Sequence, residues 1–141
     1  IEAPPEVVWR VTTDVERWPE WTPTVSSVKR RGEGPFGLGS VARIKQPGQA
    51  EADWAVTRFE PGRCFAWETR RMGLRMVATH ELSADGEGTT NLLRVEADGA
   101  MALLLWPILG PAMRRALKAE NEGLKSRSEQ VAQNVILPRS T

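Results

Sequence analysis

Residues 63 to 97 read RCFAWETRR, MG, LRMVATHELS, ADGEG, TTNLLRVEA: three alternating runs separated by two turn signals. Successive side chains of a strand point to opposite faces. In Leu74–Ser83, therefore, Leu74, Met76, Ala78, His80 and Leu82 share one side, and Arg75, Thr79 and Glu81 share the other. In the first run Phe65, Trp67 and Thr69 oppose Glu68 and Arg70. In the third, Asn91, Leu93, Val95 and Ala97 oppose Arg94 and Glu96. Half-apolar runs joined by tight turns predict an antiparallel meander, not parallel strands with crossover helices.

Upstream, Val25–Arg31, Ser40–Gln46 and Ala52–Glu60 carry the same signature, closed by Gly32–Gly37, Pro47-Gly48 and Pro61-Gly62. Six strands are thus predicted. Trp54 and Val56 should join the apolar side, unless a bulge shifts their register. Ahead of the strands, Pro4-Pro5 places proline in a first helical turn, where its missing N–H costs little. Asp14 is a candidate N-cap for a second short helix, which Pro19 and Pro23 limit to about two turns.

Downstream, Ala112, Met113, Ala116, Leu117, Asn121 and Leu124 recur at three- and four-residue steps and predict one long amphipathic helix. Pro107 and Pro111 should break its start, so its regular part is expected from about Pro111. About twenty helical residues would span roughly 30 Å, enough to cross a small sheet. The fold class is therefore α+β: a curved antiparallel sheet around a long C-terminal helix, with two short helices near the N-terminus. Residues 1–130 are read as one domain. Residues 131–141 are read as a loose tail in which Val135-Ile136-Leu137 is the part that docks. A curved sheet holding a single helix leaves space between them, which suggests a cavity.

Composition narrows the function. The chain has 141 residues, 40% hydrophobic and 26% charged, with 19 Lys plus Arg against 18 Asp plus Glu. A formal net charge of +1 gives no support to a nucleic-acid partner, which usually needs a basic face. The single cysteine, Cys64, excludes an internal disulfide and a Cys-rich metal site, and makes a reducing cytoplasm the default location. No basic segment followed by an apolar run marks a signal peptide at the N-terminus. The most apolar stretch, Ala100–Gly110, is shorter than the roughly 20 residues a bilayer span needs, so a membrane role is not expected.

The candidate site follows from the strand alternation. Trp54, Phe65, Trp67, Met76, Ala78, His80, Leu93 and Val95 form the expected sheet wall, facing Leu105, Leu109 and Met113 of the helix. Aromatic walls with a few polar groups suit flat apolar ligands. His80 is the one inward residue able to move protons near neutral pH. It reads as a hydrogen-bonding cap on the wall, as a general acid/base, or as a residue at the sheet's rim. With one histidine, a His-based metal triad is excluded, and no metal or cofactor is expected. Glu68, Glu81 and Glu96 fall on the outer face, so a buried carboxylate pair is not expected. Trp9, Trp18 and Trp21 are read as packing anchors of the short helices.

Several segments carry a family resemblance: Ala3–Trp9, Trp18-Pro19-Glu20-Trp21, Phe59-Glu60-Pro61-Gly62-Arg63, Phe65-Ala66-Trp67-Glu68, Gly86-Glu87-Gly88-Thr89-Thr90, and Glu120 with Gly123-Leu124-Lys125. With these the chain resembles the START-like, Bet v 1-type (SRPBCC) superfamily, most closely its small bacterial polyketide cyclase/dehydrase-like proteins, from Ile1 to about Glu129. The resemblance implies a helix-grip fold of seven strands, with Ile1-Glu2 the end of the first. An edge left unpaired there would favour a homodimer. It also implies binding of a hydrophobic molecule such as a sterol, lipid, quinone, hormone or aromatic polyketide. Three functions follow from it: a carrier without chemistry, a metal-free cyclase or dehydratase using His80, or a protein-interaction module.

Overall fold

The computed structural model describes residues 1–136. Pro5 opens α1 (Pro5–Thr13), with Glu6 in its first turn near the positive helix end. A 3-10 helix follows over Val15–Glu20. Asp14 stands at its N-cap position but makes no capping hydrogen bond; its carboxylate pairs with Arg17 at 3.5 Å instead.

Six strands form one antiparallel sheet in sequence order. They are β1 (Ser27–Arg31), β2 (Val41–Lys45), β3 (Ala52–Glu60), β4 (Cys64–Arg71), β5 (Leu74–Asp85) and β6 (Gly88–Asp98). The meander predicted from alternation is therefore the observed topology. Beyond β6, Ile1 exchanges two backbone hydrogen bonds with Thr89, each of 2.9 Å, so the first residue extends the sheet edge.

The bulge allowed for in β3 is present. Val56 faces Trp67 and Arg58 faces Ala66, so Thr57 is extra, and the alternation resets after it. Trp54 and Val56 point inward before the bulge; beyond it Phe59 does, packing its ring against Trp9 and Phe36.

The closing helix α2 runs over Ala102–Ile136 and corrects two expectations. It starts well before Pro111, carrying Pro107 and Pro111 inside it. Each proline removes one backbone hydrogen bond. Both lie on the exposed side, where water can satisfy the carbonyls left free. The helix also continues through residues 131–136, in place of the expected loose tail. Val131 packs on the second core and Ala132 lies within it, whereas Val135 and Ile136 are exposed rather than docked. Leu137 and the rest of that tail lie outside the described residues.

Two cores brace the sheet. One gathers Val15, Trp18, Ile44, Trp54, Phe65 and Trp67 on its concave face. The other joins Val7 and Val8 of α1 with Leu82 and with Leu124 and Ala132 of α2. The helix is seated closely: a Cβ added at Gly123 would overlap the carbonyl oxygen of Trp21. Only glycine allows that approach. From the sheet side, Asn91 Nδ2 donates to Asn121 Oδ1 at 2.6 Å, tying β6 to the middle of α2.

Candidate functional site

Antiparallel register sets side chains of neighbouring strands in rows. Phe65, His80 and Leu93 lie opposite one another across β4, β5 and β6; Trp67, Ala78 and Val95 form the next row. The rows face α2 across a cavity of about 150 Å³. An apolar cavity of about this size is known to hold a benzene ring.

Of the residues expected on the wall, Trp54, Trp67, Met76, Ala78, His80, Leu93 and Val95 line the cavity from the sheet. Leu109 and Met113 line it from α2. Phe65 does not. It is fully buried, with His80 stacked on its face at 4.5 Å and Phe36 edge-on at 5.2 Å, so it supports the wall from behind. Leu105 does not either, because it lies one helical turn before Leu109, past the end of the cavity.

The structure adds residues that strand alternation missed. Trp18 lines the cavity besides anchoring the 3-10 helix. Its indole N–H donates to the Thr12 carbonyl at 3.1 Å, and its ring sits 5.3 Å from His80 and 5.2 Å from Trp67. Thr24, Gln46 and Gln49 contribute polar atoms; Ala112, Ala116 and Leu117 come from the helix. Glu120 is the most consequential addition. It falls three residues after Leu117 and four before Leu124, within the apolar stripe of the helix, and that spacing is the signal for an inward carboxylate.

Glu120 Oε1 stands 3.8 Å from His80 Nδ1, the two side chains only 15% and 5% exposed. Loss of water opposes charge on both groups. Burial pushes the Glu120 carboxyl up to about 7 from 4.5, and pushes the His80 imidazole down to about 3 from 6.5. His80 is thus a neutral imidazole at physiological pH, and Glu120 is the group that titrates there. An apolar chamber with one such pair can orient a polar group of a ligand, and can pass a proton to or from it.

Glu68, expected on the outer face, holds Arg75 at 2.8 Å and is not among the residues that line the cavity. Cys64 is buried in β4, where burial raises its thiol pKa. Among the described residues no group of three His, Cys, Asp or Glu side chains is placed to hold a metal ion. No helix among them is long and apolar enough to cross a membrane.

The sequence profile of the family described as polyketide cyclase / dehydrase and lipid transport matches residues 1–129. Among curated proteins nothing matches. Among solved structures, TTHA0849 from Thermus thermophilus is similar at 20% identity and TM-score 0.73, covering 94% of each chain. The Zhui aromatase/cyclase from Streptomyces sp. R1128 is similar at 19% identity and TM-score 0.70, covering 92% of this chain and 89% of that one. Ara h 8.0201 is similar at 14% identity and TM-score 0.73, covering 92% of each chain. At these identities the likeness is one of fold, and the fold is the helix-grip of the Bet v 1-like proteins.

Proposed function

Because the chain belongs to the polyketide cyclase/dehydrase and lipid transport family, we propose that it binds a small apolar, aromatic or lipid-like molecule between the sheet and α2. The observation that carries this reading is the cavity of about 150 Å³, walled by Trp18, Trp54, Trp67 and Met76, with its polar pair on one side. Aromatic walls with few polar groups favour flat apolar ligands, and the methionines Met76 and Met113 adapt to ligand shape. Native mass spectrometry of the protein purified from its own host tests this directly. One apolar molecule bound per chain is expected. A protein that arrives empty and also ignores quinones, sterols, fatty acids and aromatic polyketides removes the reading.

The His80–Glu120 pair favours a second reading, cyclisation with dehydration of a polyketone. Glu120 as carboxylate takes a proton from a carbon next to a carbonyl. The resulting enolate forms a carbon–carbon bond to a second carbonyl, and the alkoxide takes the proton back. Loss of water then needs a proton delivered to the leaving hydroxyl and another removed from the adjacent carbon. Both transfers lie within the reach of such a pair, and the sequence is redox-neutral. A carboxyl that titrates near neutral pH suits both directions of transfer. Under this reading His80→Ala and Glu120→Gln lose turnover yet keep the ligand. Retained turnover by both variants would leave the carrier reading alone.

A further inference from the structure

The first third of α2 is apolar on every side. Leu109 and Met113 face the cavity, while Leu103, Leu104 and Ile108 point outward, exposed at 92%, 68% and 74%. No charged residue occurs from Gly99 to Met113. A helix that is hydrophobic all round is ordinarily covered by something.

The turn between β4 and β5 enlarges this patch. Met72 at its tip is 89% exposed. The turn is tied to the start of α2, because Met101 N–H donates to the Gly73 carbonyl at 3.4 Å. Gly99 also approaches that carbonyl so closely that a Cβ would overlap it.

Basic residues frame the patch. Arg70 and Arg71 precede Met72, and Arg114, Arg115 and Lys118 continue the outward stripe of the helix. Arg114 and Arg115 have no salt-bridge partner among the described residues. On a chain of net charge +1 this is a local concentration of positive charge.

We propose that this end of the molecule docks on the surface of an anionic lipid bilayer. Met72, Leu103, Leu104 and Ile108 then enter the boundary of the acyl chains, and Trp106, 39% exposed, sits at headgroup level. The arginines meet lipid phosphates. A second copy of the chain fits less well, since an isologous interface brings the same basic-framed patch to both sides, and from Gly99 to Met113 there is no acidic residue to meet the arginines. The docking does not depend on what the cavity holds, although Leu109 makes the docked segment part of the cavity wall.

Flotation with two kinds of vesicle tests the proposal: pure phosphatidylcholine, and phosphatidylcholine with about one-third phosphatidylglycerol. The protein is expected to float with the anionic vesicles only, and less as salt rises. Leu104→Glu with Ile108→Glu should lower the bound fraction at least tenfold. Arg114→Glu with Arg115→Glu should lower it roughly fivefold per arginine. All four side chains are exposed, so unchanged circular dichroism melts are expected for both variants. Absence of flotation with anionic vesicles overturns the proposal, as does undiminished flotation of the Leu104/Ile108 variant. So does a dimer in sedimentation that this variant makes monomeric, or a protein partner captured through these residues without lipid binding.

Discussion

His80 and Glu120 meet at one side of the cavity, brought together from strand β5 and helix α2 to 3.8 Å between Nδ1 and Oε1. Their pKa values move past each other on folding. In the unfolded chain a single proton between pH 4.5 and 6.5 rests on the histidine; in the folded protein it rests on the glutamate.

The first prediction follows by linkage. Between pH 4.5 and 6.5 folded and unfolded states bind the same number of protons through this pair, so its contribution to stability is flat. From pH 3 to 4.5 the unfolded state binds one more, and stability rises with pH. From pH 6.5 to 7 the folded state binds one more, and stability falls, levelling off above the folded pKa of Glu120. Glu120→Gln stays neutral at every pH, so the rise continues to pH 6.5 with no fall after it. At pH 8 it should stabilise the protein by on the order of 3 kcal/mol, the free energy of the Glu120 shift from 4.5 to about 7, several degrees in Tm. Thermal melts of both proteins across this pH range check it, and a variant that melts lower at pH 8 would contradict the assignment.

Gly123→Ala is expected to destabilise by about 1–3 kcal/mol despite the better helix propensity of alanine. Its methyl group would meet the Trp21 carbonyl, which is backbone and cannot rotate away. Urea denaturation measures the change, and a gain in stability would show that α2 shifts freely over the 3-10 helix.

Ala116→Phe should fill the cavity without disturbing the two cores, since Ala116 lines the space and belongs to neither cluster. Binding of an apolar fluorescent dye should weaken at least tenfold while the melting temperature holds. Unweakened dye binding would place the dye elsewhere on the molecule.

Phe65→Ala should cost about 3–5 kcal/mol, as for large buried aromatics generally. The loss also frees the face on which His80 stacks, so the imidazole pKa should rise from about 3 as water reaches it. Nuclear magnetic resonance titration of the one histidine reads this, and an unmoved value would mean that other walls keep the ring dry.

The sheet is legible in the sequence because each strand carries its own alternation and each turn its own glycine. The inward rows of β5 and β6 follow from period two alone. What alternation does not show is depth. Phe65 and Trp67 share a face of β4, yet only Trp67 meets the cavity, because Phe36 and Trp9 close over Phe65 from loops and helices distant in sequence. Glu120 is hidden for a different reason. A charged residue on an apolar stripe looks like an interruption of the stripe until the sheet wall is known to hold His80. The start of α2 departs from expectation because proline rules describe hydrogen bonds lost, and an exposed helix replaces those with water.

Two rungs are absent from the ladder of α2, since Pro107 and Pro111 cannot donate to the carbonyls four residues before them. Leu109, which closes part of the cavity, lies between the two gaps. The stretch of α2 with the fewest backbone hydrogen bonds is therefore also a wall of the cavity. On the proposed function, exchange of a guest is expected to run through this stretch of helix, and its retention to rest on the tryptophans of the other walls. Residence time would then be adjustable here without a change of preference.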